Sequence, residues 1–344
     1  MAGLRVFGLA AALALVGAAS ASADAVGDFY KGKTLDVYIG TAEGPGSVTV
    51  FARTVGEYIS RHIPGGPRAI VRFMPGGAGI KAANFIYGIA PQDGTVYGFI
   101  SRSFILEPLL VGQATFDPTK LNWIGSPARD TSVGTVWAAG TKVRTIEEAM
   151  REQVIVGGTA LNNDTGLYPT MMNTLAGTKF KVVTGYKSVP EVDLAMERGE
   201  VQGKIGGTLS SLNSGRTIDW VKDQKVFILL QLGLAKSSKL PADIPLALDL
   251  TRNAEDRQVM SLILSPTAVG HLSFMGPGVP ADRLAAVRKA YAETMVDPEF
   301  VTAMNRQNYP LDPVYGDEIK KIVDEIYALP PNVIKRAKEL IPPS

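Results

Sequence analysis

Three turns in this sequence could hold an anion. Gly44-Pro45-Gly46-Ser47 follows the β-prone run Leu35-Asp36-Val37-Tyr38-Ile39 and precedes Val48, Phe51, Ala52, Val55 and Ile59, which fall at helical spacing. Strand, glycine turn and helix in that order bring unpaired backbone N–H groups and the positive end of a helix dipole to one point, which suits an anion. The same order recurs at Ala69 to Met74, Pro75-Gly76-Gly77-Ala78-Gly79 and Ile80 to Ile89. A third, polar turn from Gly157 to Thr165 lies between the strand Val154-Ile155-Val156 and a helix from Gly166 to Leu175. An ordinary βα connection carries the same signature, so one turn alone assigns no ligand.

Other patterns fail on context. Gly27-Asp28-Phe29-Tyr30-Lys31-Gly32-Lys33-Thr34 fits the Walker A expression, but it precedes the first strand, whereas a phosphate loop must follow a strand and open a helix. Gly77-Ala78-Gly79-Ile80-Lys81-Ala82 fits a dinucleotide fingerprint in better context. Its ribose-binding acid is missing, because Asp93 lies in a Pro-Gln-Asp-Gly turn. An exported α/β enzyme with a dinucleotide at Gly77-Ala78-Gly79 stays open as an alternative. His62, beside Arg61 at a helix end, reads as a dipole partner, and His271 as a structural residue of a strand. Neither belongs to a metal motif, no nucleophile elbow occurs, and Glu191, Glu197 and Glu200 read as cap and solvated helix face. The expectation is a protein with no catalysis, no cofactor and no bound metal.

The elements that must position these turns follow from the rest of the chain. Residues 1–23 read as a secretory signal: basic Arg5, an apolar core from Val6 to Val16, and the small residues Ala21-Ser22-Ala23 before Asp24. That core is shorter than the ~20 residues of a membrane span, so a soluble, periplasmic mature protein is expected. The absence of cysteine removes disulfide scaffolds, thiol catalysis and Cys-zinc sites. The 321 residues left after the 23-residue signal (344 minus 23) suggest about two domains. The net charge of +2, with no basic run, argues against nucleic acid. Strands at Val96 to Ser101, Val133 to Ala139, Lys181 to Thr184, Val201 to Ile205, Phe227 to Leu232 and Val269 to Phe274 alternate with helices, which predicts parallel sheets. Thr145-Ile146-Glu147-Glu148 and Ser188-Val189-Pro190-Glu191 read as capping boxes. The helical C-terminal segment would complete the first domain and make it discontinuous.

Several segments, in order, resemble the receptors of tripartite tricarboxylate transporters, the TctC-like or Bug periplasmic solute-binding proteins. They are Phe29 through Leu35 to Ala52-Arg53, Pro75 to Gly79, Ala90 to Thr95, Gly185-Tyr186-Lys187, Met196 to Val201, Gly276 to Ala281 and Asp297 to Phe300. The resemblance implies an α/β type II periplasmic binding fold, two lobes with a hinge and a central cleft. Lobe one would take residues 24–130 and 233–344, and lobe two residues 131–232. It implies capture of a small organic carboxylate by a monomer and delivery to membrane permease subunits. A sensor serving a signalling partner would look the same in sequence.

Carried onto matching positions, loop one is Gly44, Pro45, Gly46, Ser47, Val48 and Thr49, and loop two is Gly76, Gly77, Ala78 and Gly79. Lobe two would offer Gly158, Thr159, Asp164, Thr165, Tyr186 and Thr208. Family loop one commonly ends in Asp, where this chain has Thr49, which removes the obvious partner of a ligand ammonium and favours an unsubstituted mono- or dicarboxylate. Leu161-Asn162-Asn163 replaces the small residues usual in the lobe-two loop.

Overall fold

The computed structural model describes residues 25–341 except 45, 46, 113, 214 and 310. The expected signal segment, Pro45 and Gly46 lie outside the described residues. The first described residues form a helical stretch, α1, at residues 25–30. It continues through β1 (Thr34–Ile39), α2 (Ser47–His62), β2 (Arg68–Phe73), a 3-10 turn (Gly77–Gly79), α3 (Ile80–Gly88) and β3 (Val96–Ser101). After a 3-10 turn at Arg102–Leu106 come α4 (Glu107–Leu110) and β4 (Asn122–Ser126). A second βα series follows: β5 (Ser132–Trp137), α5 (Ile146–Arg151), β6 (Val154–Gly157), α6 (Asp164–Ala176), β7 (Phe180–Val183), α7 (Val189–Glu197), β8 (Gly203–Thr208), α8 (Leu209–Leu212) and β9 (Val226–Leu232). The chain closes with α9 (Ala254–Leu264), β10 (His271–Met275), α10 (Ala281–Val296), α11 (Pro298–Arg306), β11 (Val314–Tyr315), α12 (Gly316–Tyr327) and α13 (Pro331–Glu339).

Two sheets result, ordered β11-β4-β10-β3-β1-β2 and β7-β6-β8-β5-β9. Both are mixed rather than parallel as expected. β1, β2 and β3 run parallel, but β10 lies antiparallel between β3 and β4, and β5 lies antiparallel between β8 and β9. The antiparallel strands sit where the chain leaves one sheet for the other or returns, a reversal that local βα alternation does not encode. β4 and β11 are also absent from the sequence expectation. Asn122–Ser126 has only two large apolar residues, and Val314–Tyr315 is too short for any period to show.

Local chemistry accounts for the elements at the cleft. β1 alternates, with Leu35, Val37 and Ile39 wholly buried. α2 buries Phe51, Ala52, Val55, Gly56 and Ile59 along one face, and Gly56 lets the helix close on Val37 of β1. β3 is buried along nearly its whole length, as a strand flanked on both edges must be. The Thr145 capping box forms as predicted. The Ser188 one does not: the Glu191 carboxylate accepts from Lys187 N–H, and the Ser188 side chain makes no cap bond. The segment after β9 first stays with the second sheet, where Leu246 bridges Gln231, and α9 packs on both α6 and α13. α9 was not expected, although Asn253, which accepts from Asp256 N–H, marks its start. Among the described residues no helix is long and apolar enough to cross a membrane.

Candidate functional site

The carboxyl ends of β1, β2 and β3 point the same way, so the turns that follow them share one edge of the first sheet. Loop one leaves β1 through Gly40, and loop two ends at Gly79. These residues touch as bare backbone: a Cβ on Gly40 would lie 2.5 Å from Gly79 Cα, and one on Gly79 would lie 2.4 Å from Ile100 Cγ2. Gly76, Gly77 and Gly79 all have positive φ, at 142°, 53° and 101°, which fixes glycine at this turn. Gly44 is half-buried before α2, and Thr49 is buried within it. Ser47 opens α2 and shares a 3.1 Å hydrogen bond with His271 Nε2.

His271 is the first residue of β10, the strand that returns the chain to the first sheet, and its ring packs near Phe51 and Phe99. Burial, assisted by the charge of Arg102, lowers its pKa to about 3, so the ring is neutral at physiological pH. His62, read as a dipole partner, ends α2 beside Arg61, and its ring also meets Asp297 at 3.0 Å and Glu293 at 3.8 Å. The Walker-type segment runs through α1 into β1, the reverse of a phosphate loop. Asp93 accepts from Thr95 N–H and hydroxyl within its turn.

Lobe two meets this edge through side chains. Arg102, directly after β3, is buried and donates to the carbonyl oxygens of Asp130 and Val269, to Ser132 Oγ at 2.7 Å and to Asp164 Oδ2 at 3.4 Å. One side chain therefore ties both connections between the sheets to the start of α6. Burial raises the pKa of Asp130 despite Arg102, and Ser210 donates to this carboxylate through N–H and hydroxyl. Around Asp164 the polar groups engage one another. Thr165 Oγ1 accepts from Thr159 N–H at 3.0 Å and donates to Asn163 Oδ1 at 2.9 Å, and Asn163 Nδ2 donates to Thr159 Oγ1.

Tyr186 packs beside Gly157, and burial raises its pKa, with Glu200 and Glu191 adding to the shift. Thr208 caps α8, accepting from Ser211 N–H. A cavity of about 40 Å³ is lined from one side by Gly77 and Ile80 and from the other by Asn162 and Leu167, so loop two and the lobe-two turn face each other. A wider groove of about 490 Å³ runs beside the same turn, along Met74, Lys81 and Phe85. No group of three or more His, Cys, Asp or Glu residues among the described residues could hold a metal.

Sequence reasoning missed Arg102, Asp130 and Ser132, and assigned His271 to structure only. A polar residue directly after a buried strand was the available signal for Arg102, since ligands gather at the carboxyl ends of such strands. His271 carried no signal, because its partner Ser47 lies more than two hundred residues away in the chain.

Two α/β lobes, each built on its own mixed sheet and joined by the two connections after β4 and after β9, define the fold of type II periplasmic binding proteins. The fold is that of the TctC and Bug proteins. A TctC solute binding protein from Polaromonas superposes with a TM-score of 0.63 at 16% identity, over 91% of this chain and 99% of that one. The periplasmic binding protein BugD gives 0.67 at 16% identity, over 90% and 98%. MatC from Rhodopseudomonas palustris, with bound malate, gives 0.65 at 14% identity, over 90% and 99%. No family model and no curated protein matches the sequence.

Proposed function

We propose that this protein is a periplasmic receptor that captures a small organic carboxylate between lobe one (residues 24–130 and 233–344) and lobe two (131–232). It would deliver the ligand to tripartite tricarboxylate-type permease subunits and carry out no chemistry itself. The observation that supports this reading is that Gly77 of loop two and Asn162 and Leu167 of the lobe-two turn line one cavity, while Ser47 is tied to the return strand at His271 and Asp164 to Arg102. Helix starts and glycine turns are suited to anions. The malate held by MatC, on the same fold, is consistent with a carboxylate ligand. Export follows from the reading of residues 1–23.

A ligand closes such a hinge only through contacts it makes better in the closed state. A thermal-shift screen of di- and tricarboxylates, aromatic acids and amino acids tests the reading. A true ligand at about 100 times its Kd should stabilise the protein by ~2.7 kcal/mol. The reading fails if no carboxylate raises the melting temperature while a neutral sugar or a cation does.

A further inference from the structure

The two sides of the cleft differ in electrostatic character. Lobe one offers the start of α2 and a glycine turn. Lobe two presents a carboxylate of its own, since Asp164 is the first residue of α6 and its side chain keeps 22% of its exposure. Arg102 cannot serve a second anion there, because its guanidinium is held by Asp130 O, Val269 O, Ser132 Oγ and Asp164. The Asp130 carboxylate also lies in the field of this guanidinium, so two carboxylates share one cation. The hydroxyls of Thr159 and Thr165 are engaged with Asn163, and Lys204, the buried cation of lobe two, is paired with Asp193.

We propose that Asp164 sets the polarity of the ligand. The ligand's carboxylate lies toward lobe one, and the end that meets lobe two carries a hydrogen-bond donor, whether hydroxyl, amide or ammonium. A second carboxylate at that end is disfavoured by like charge in a partly desolvated cleft. A donor would instead use the acceptor capacity that the Asp164 carboxylate keeps beside its contacts with the Arg102 guanidinium and the Tyr168 hydroxyl. The proposal rests on the receptor reading above. It differs from the sequence expectation of an unsubstituted acid, which considered only the missing acid at Thr49.

Calorimetric titration with succinate, glutarate and adipate tests it. Each is set beside the monocarboxylate of the same length bearing a terminal hydroxyl or amine, on the wild-type protein and on Asp164→Asn. The wild type should bind the best donor-ended acid at least ~10-fold more tightly than the matching dicarboxylate, and Asp164→Asn should erase most of that ratio. Equal or tighter binding of the dicarboxylates overturns the proposal, and so does an unchanged ratio in the variant. The wild-type series decides alone if the variant does not fold. Failure of every carboxylate in the wider screen would sink the receptor reading itself, a result distinct from a reversed preference among acids that bind.

Discussion

Lobe one brings backbone to the cleft and lobe two brings side chains. At the first, Gly40 and Gly79 meet with no side chain between them, and the turn through Gly76 and Gly77 depends on positive φ. At the second, Thr159, Asn163 and Thr165 interlock and Asp164 reaches across to Arg102. Both regions are built on the same order of strand, turn and helix. The difference teaches that a shared unit can present amide donors in one place and a fixed acceptor in another, depending on which atoms fill the turn.

The largest test of this contrast strikes the side-chain half. Arg102→Met removes the donor that holds both connections and Asp164, and leaves two carboxylates without their cation. It should cost about 3–5 kcal/mol, read by urea unfolding. A cost under about 1 kcal/mol would mean that lobe two does not depend on this side chain. The backbone half breaks differently. Gly79→Ala must fit a Cβ 2.4 Å from Ile100 Cγ2 at a φ of 101°, and should lose about 1–3 kcal/mol together with carboxylate binding. Full retention of both would show that the close approach is dispensable.

A third test concerns His271, which bonds to loop one and lies in the field of Arg102. Its folded pKa of about 3 lies below the ordinary 6.5, so on acidification the unfolded chain gains a proton that the folded chain refuses. The contribution to stability is therefore full above pH ~6.5 and declines as pH falls toward ~3. Between pH 7 and 4 the wild type should lose melting temperature more steeply than His271→Gln. Parallel slopes would count against a buried, neutral imidazole beneath Ser47.

Much of the architecture was legible. The alternation of Leu35, Val37 and Ile39, the helical face of α2 and the glycines after β2 each record a local constraint of period or backbone angle. β4 and β11 were not, because their burial comes from neighbours such as β10 rather than from their own pattern. Thr159, Asp164 and Thr165 were legible as members of a polar turn, but their mutual bonding was not.

By itself the sequence determined where the chain turns and which turns demand glycine, since φ and hydrophobic period act over a few residues. The tertiary structure alone decided that Arg102 meets Asp164 and that His271 meets Ser47. The first joins elements of two different sheets and the second joins the start of α2 to the strand by which the chain returns to the first sheet, and no local spacing encodes either distance. The electrostatic character of each side of the cleft, and with it the choice of ligand proposed for lobe two, follows from those long-range pairings.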